Sequence, residues 1–545
     1  MKTKILLGFV LAFFSSPLLG QADKLYLKNE TPEYQQVIDF YKILDNKYPE
    51  AKLIEYKPAD CGLPIQLFVI DASGNFDPGK HENKATILIN NGIHPGEPCG
   101  IDASMNLAKE LLESGELPKN VRIAIIPVYN IGGALNRNNF SRTNQNGPKE
   151  YGFRGNAKNL DLNRDFIKLD SKNARAFVRI FRDWQPEIFV DTHTSNGADY
   201  QYAFTLISTQ KDKLNPVLST YLQQTFEPAL YSGMAKRGVI ITPYVDPIDK
   251  IPDNGIKAFL DLPRFSSGYT ALFNTIGFTT ESHMLKPFKT RVKATLNFLE
   301  LIVNYVEKHA AELIKLKKKA DQMTVKTPSF PITWTWNDSL FKKIEFLGFE
   351  AKYKPSDISG DDRLFYDRNQ PFSKTIPFYE NYDALVTSEK PKYYIVPQQW
   401  QKVIDRLQLN RVEMHRLESD TLITVKTTYI LDFKTVQSPY ESNYMHYETH
   451  VRDTMETLKF SAGDWFIPME KSTDYFVVSV LDPRGADSYF TWNFFDGILQ
   501  QKEWYSPYVF EDEAVEILEK NPELKGAFDK KLHSDEDFRN NPRAR

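Results

Sequence analysis

Between roughly residues 50 and 320 the sequence alternates short, continuously apolar runs with stretches of helical periodicity, and no other feature constrains the fold as much. The apolar runs at 52–56, 65–71, 85–90, 121–128, 187–192, 202–208 and 277–281 read as strands. Several show no polar alternation, as expected of strands covered on both faces. Between them, residues 32–48, 101–114, 172–184, 213–230, 268–276 and 289–319 read as helices, the first with Val37, Phe40, Tyr41 and Leu44 at helical spacing. Strand and helix in turn predict an α/β sheet with helices on both sides.

The texture changes at about 320–328, where a basic run from Lys315 to Lys319 is followed by Thr327, Pro328 and Pro331. Beyond it, aromatic and β-branched residues cluster at 330–336, 393–396, 422–433 and 475–481, a β-rich pattern with helical inserts near 398–407 and 512–520. The charged end, 533–545, reads as frayed. A chain of 545 residues supports two or three domains. The expected division is 23–322 and a β-rich accessory domain at 323–545, preceded by a signal peptide at 1–22. Lys2 and Lys4 precede an apolar run at 5–14, which Ser15, Ser16 and Pro17 end before a small-residue site near Gly20 or Ala22. That run is about half the ~20 residues needed to span a bilayer. With no other candidate span, the expected destination is secreted or periplasmic. A net charge of −3 gives no reason to expect a nucleic-acid partner. Cys61 and Cys99 leave two alternatives open, one disulfide or two free thiols.

The chemistry is concentrated at the ends of strands. The run 90–97 carries His94 and Glu97 three apart, directly after an apolar strand. Zinc takes imidazole nitrogen and carboxylate oxygen, and a His2Glu set leaves one position for water. Alone, such a pair is most often a surface accident. It is joined by His193 at the end of another strand, and open α/β sheets gather ligands beyond the C-terminal ends of their strands. Within 159–166, Asn163 and Arg164 offer an amide and a guanidinium fork to a carboxylate, and Asp161 could orient a metal-bound imidazole. The bland reading of that segment is a polar turn. Glu281 ends the strand at 277–281.

In this order the motifs resemble the zinc metallocarboxypeptidases, the carboxypeptidase A-like peptidase family M14, and an exported bacterial-type member of it. The resemblance covers about residues 30–310 and implies a mixed, mostly parallel sheet flanked by helices. It makes His94, Glu97 and His193 the ligands of one zinc ion, with Asp161 behind the first histidine. It makes Asn163 and Arg164 the clamp on a substrate's free C-terminal carboxylate and Glu281 the general base for zinc-activated water. An arginine that stabilises the oxyanion is also implied, for which Arg137, Arg142 and Arg154 compete and Arg142 is favoured. Two features depart from the family pattern. Gly96 stands where digestive members place an arginine, and the family's mobile tyrosine has Tyr269 only as its nearest counterpart. Arg264 is a further candidate anion binder.

His446 and His450 are four apart, but their neighbours favour a strand and so a solvated surface pair. Three functions follow, in order of preference. The first is a carboxypeptidase acting at peptide C-termini. The second is a zinc amidohydrolase for N-acyl amino acids or cell-wall peptides, and the third a non-catalytic peptide or glycan binder. Oligomeric state is not legible.

Overall fold

The computed structural model describes residues 19–79, 83–542 and 545. The proposed signal peptide lies almost wholly outside them. Eight strands form the principal sheet, in the order Ala51–Pro58, Pro64–Ile70, Val121–Ile126, Ala85–Asn90, Ile188–Ser195, Ile276–His283, Phe204–Ser208 and Thr242–Pro243. Its centre, from Val121–Ile126 to Ile276–His283, is parallel, and antiparallel strands lie to either side. Every residue of the three central strands Ala85–Asn90, Val121–Ile126 and Ile188–Ser195 is buried, which accounts for their lack of polar alternation. The expected mixed sheet is therefore present, with helices such as Tyr34–Lys47, Cys99–Ser114, Lys172–Trp184 and Phe288–Lys326 flanking it. The last of these has 39 residues, about 58 Å of helix.

Past Lys326 the chain becomes β-rich, in two long antiparallel hairpins and shorter pairs. Lys342–Pro355 pairs with Asp362–Tyr379, and Thr421–Thr435 pairs with His446–Phe460. Two expectations fail here. Residues 475–481, read as a strand, lie in the helix Asp474–Leu481, whose residues from Asp474 to Val480 are buried. A short apolar run buried on every side has no periodicity to separate strand from helix. The charged terminus is not frayed coil: Pro507–Lys520, Pro522–Ser534 and Glu536–Asn540 are helices. One compact unit runs as far as Phe494 and the other is Phe495–Arg545. Cys61 and Cys99 are both free thiols.

Candidate metal centre

The strand Ala85–Asn90 leads into a turn in which Gly92 takes φ +66° and the Glu97 N–H donates to the His94 carbonyl at 2.8 Å. The helix Cys99–Ser114 begins directly after, so His94 and Glu97 are fixed between two rigid elements. Next to this strand in the sheet, Ile188–Ser195 carries His193. In the following strand Glu281 pairs in register with His193. Register alone thus brings three separate stretches of sequence to one end of the parallel sheet.

His94 Nδ1 lies 3.3 Å from Glu97 Oε1, and His193 Nδ1 lies 3.1 Å from Glu97 Oε2. All three side chains are buried. One ligand atom from each of the three lies within 4.8 Å of the others, close enough for all three to hold one metal ion. Each imidazole also turns its other nitrogen to a carboxylate: His94 Nε2 to Asp161 Oδ1 at 2.9 Å, and His193 Nε2 to Asp191 Oδ2 at 3.1 Å. That is how metal-binding histidines are oriented and made more basic. Burial opposes charge on His193, yet Asp191 and Glu97 hold its pKa well above the ordinary imidazole value. Burial likewise opposes ionisation of Glu97, but Arg142 and His94 hold it well below the carboxylate range. The pocket is built for positive charge, and the residues fit a divalent cation.

A cavity of about 220 Å³ opens on these ligands, lined also by Arg142, Arg154, Asn163, Arg164, Tyr244, Phe259 and Glu281. Burial, reinforced by Glu97, pushes the Glu281 carboxyl up to about 8. Arg142 Nη1 donates to Glu97 Oε1 at 2.8 Å and Nη2 to the Thr194 carbonyl at 3.3 Å. Gly96 explains its path, since a Cβ there would stand 2.6 Å from Arg142 Cδ. The arginine absent beside Glu97 thus leaves room for another to cross. Arg154 grips Asp161 Oδ2 at 2.8 Å and keeps 45% of its side chain exposed. Asn163 accepts from the Ser266 N–H at 3.2 Å, and the Arg164 guanidinium stacks 4.5 Å above Phe265.

Two candidate residues do not belong to this cavity. Tyr269 is fully buried among Phe166, Phe181 and Phe273, with its hydroxyl donating to Asn410 Oδ1 at 2.6 Å. Its ring completes a core cluster and cannot reach a substrate. The cavity's tyrosine is Tyr244, which no motif in the sequence marks. Arg264 pairs with buried Asp487 at 2.8 Å and faces Trp492, so its charge is already taken. Nor do His446 and His450 form the expected surface pair. His446 is buried between Thr435 and Asn493, and only His450 is exposed. Residues from far along the chain were also missed: Tyr440 and Glu441 contact Arg164 and Asp161.

Residues 38–204 match the family model described as zinc carboxypeptidase, a span that includes His94, Glu97, Arg142, Arg154, Asp161, Asn163, Arg164 and His193 but not Glu281. Among curated proteins the chain is similar to carboxypeptidase 2 of Trichophyton equinum, 20% identical over 439 residues, 76% of this chain and 74% of that one. It is also similar to carboxypeptidase 2 of Trichophyton rubrum, 20% identical over 456 residues, 78% and 77% of the two chains. These relatives are fungal, so they lend nothing to the bacterial-type expectation. Among solved structures, a metallo-carboxypeptidase from Burkholderia cenocepacia is 16% identical, covering 52% of this chain and 71% of its own, with a TM-score of 0.39.

Proposed function

We propose that the chain is a metallocarboxypeptidase that hydrolyses the C-terminal peptide bond of peptides, using one zinc ion held by His94, Glu97 and His193. The carrying observation is that these donors, within 4.8 Å of one another, share one cavity with a carboxyl and a guanidinium fork. Zinc bound there supplies Lewis acidity and lowers the pKa of water to roughly 7. Glu281 lines the same cavity, where it would take the proton of the attacking water as general base and return it to the leaving amine as acid. Asn163 and Arg164 bind the substrate's terminal carboxylate and fix which bond lies over the ligands. Arg142, anchored on Glu97, sets positive charge in the cavity wall where an oxyanion would form. An adjoining cavity of about 400 Å³ shares Ile207, Tyr244 and Phe259 and gives room for the terminal side chain. Export is part of the proposal, supported by Lys2, Lys4 and the apolar run at 5–14.

The test pairs zinc content with hydrolysis of peptides bearing free or amidated C-termini, for the native sequence and Glu281→Gln. The expectation is about one zinc per chain and hydrolysis only of free termini. Hydrolysis should fall about 100-fold or more in the variant, the contribution of a positioned base. Zinc-dependent hydrolysis indifferent to the terminus would replace the carboxypeptidase with an amidohydrolase. Absence of both zinc and hydrolysis would leave a binding protein.

A further inference from the structure

The turn joining strands Thr421–Thr435 and His446–Phe460 lies almost 280 residues beyond Asp161 and Arg164, yet it completes their surroundings. Tyr440 and Asn443 close it with paired backbone hydrogen bonds of 2.8 and 3.1 Å. The two residues between them, Glu441 and Ser442, have φ of +49° and +67°. Two left-handed residues in succession normally call for Asn-Gly, and side chains with a Cβ make the conformation costly. Such a turn persists only where its surroundings hold it, which is the pattern of functional segments.

What the turn presents is specific. The Tyr440 hydroxyl accepts from Arg164 Nε at 2.8 Å, and Glu441 Oε2 accepts from the Asp161 N–H at 2.7 Å. Tyr440 is itself fixed by stacking on Trp492, with a ring separation of 6.2 Å. Asn443 Nδ2 adds a hydrogen bond of 3.3 Å to Asp170. The remaining bonds of Arg164 show what this does to the clamp. Nη1 donates to the Asn163 carbonyl at 2.9 Å, and Nη2 has no acceptor among the described residues. A guanidinium can meet a carboxylate side-on through Nε and one Nη, or end-on through both Nη. Tyr440 occupies Nε, which leaves the end-on approach.

We propose that Tyr440, from the C-terminal region, is a positioning residue of the carboxylate clamp, holding the Arg164 guanidinium end-on to a substrate's terminal carboxylate. The proposal rests on the reading of Arg164 as that clamp, and the test separates the two. Zinc-loaded Glu281→Gln protein, with and without Tyr440→Phe, is titrated calorimetrically with N-acetylphenylalanine and with its amide. The Phe variant keeps the ring stacked on Trp492 and removes only the oxygen. The expectation is that the parent binds the acid more tightly than the amide. Tyr440→Phe then weakens acid binding by about tenfold, as for losing one hydrogen bond to a charged group. Amide binding and zinc content do not change. Unchanged acid binding in the variant overturns the proposal while leaving the clamp standing. Equal losses for acid and amide, or loss of zinc, reduce Tyr440 to a structural role and also overturn it. A parent that binds acid and amide alike removes the clamp reading, and the proposal with it.

Discussion

In the proposed site His94 Nδ1 would face the ion, and its Nε2 is held by Asp161, 2.9 Å away. Asp161 in turn answers to several neighbours. Burial would raise its carboxyl, but His94, Arg154 and Arg164 keep it well below the usual carboxylate range. Its backbone is fixed by Glu441, and its own Oδ1 caps the turn by accepting from the Asn163 N–H at 2.9 Å. The residue that orients a ligand therefore also shapes the segment carrying the clamp. Asp161→Asn keeps the size and loses the charge that stabilises the His94 Nε2–H. Its expected effect is a zinc dissociation constant raised about 10- to 100-fold, the usual result of removing such a partner. Competition with a chelator of known affinity measures it, and unchanged affinity would show that His94 is oriented without Asp161.

At the scale of elements, the ligands were legible because the sheet is. His94, His193 and Glu281 stand at the ends of apolar runs that alternate with helices, the pattern of buried parallel strands, and such ends collect at one edge. Tyr244, which lines the cavity, and Tyr440 and Glu441, which contact Arg164 and Asp161, were not legible, because each stands in an irregular segment placed by tertiary packing alone. Tyr269 failed for the opposite reason: closeness to Glu281 in sequence does not mean closeness in space, and its helix, Ser266–Ala271, is wholly buried. The helix Cys99–Ser114 shows what else position in an element imposes. Its first turn buries Asp102, which accepts from the Thr31 hydroxyl at 2.6 Å, while Oδ1 has no partner. Burial pushes this carboxyl up from 3.8 to about 8. Between those pH values the folded chain holds a proton that the unfolded chain has released. Its contribution to stability is then lost progressively as pH rises from about 4 to about 8, and below about 4 it is constant. Chemical denaturation at pH 5 and pH 8 should show this fall in the native sequence and a flatter profile in Asp102→Asn. A profile unaltered by the substitution would mean the carboxyl is ionised in the fold.

At the scale of the larger unit, residues 327–494 buttress the first sheet, and the unit that holds the site extends to Phe494. Arg406 Nε donates to the Lys168 carbonyl at 2.6 Å, Arg368 Nε pairs with Asp199 at 2.6 Å, and the Tyr382 hydroxyl donates to the Ala258 carbonyl at 2.7 Å. Arg264 and Asp487 supply another of these links. Asp487 is buried, accepts from the Arg264 backbone N–H at 2.8 Å and forms an ion pair with its guanidinium. The same carboxylate accepts from the Trp492 indole at 3.1 Å, and Trp492 supports Tyr440. Removing Asp487 would leave a largely buried guanidinium without its counter-charge, a loss of about 3–5 kcal/mol in comparable pairs. If the two regions stabilise each other, Asp487→Ala lowers the unfolding free energy by that amount in one transition that also releases zinc. Were they independent, the variant would unfold in two steps, the zinc-bearing step staying at the native denaturant concentration. Zinc release followed alongside tryptophan fluorescence distinguishes these outcomes. A two-step result would return the division near residue 322 as the true boundary of the folding unit.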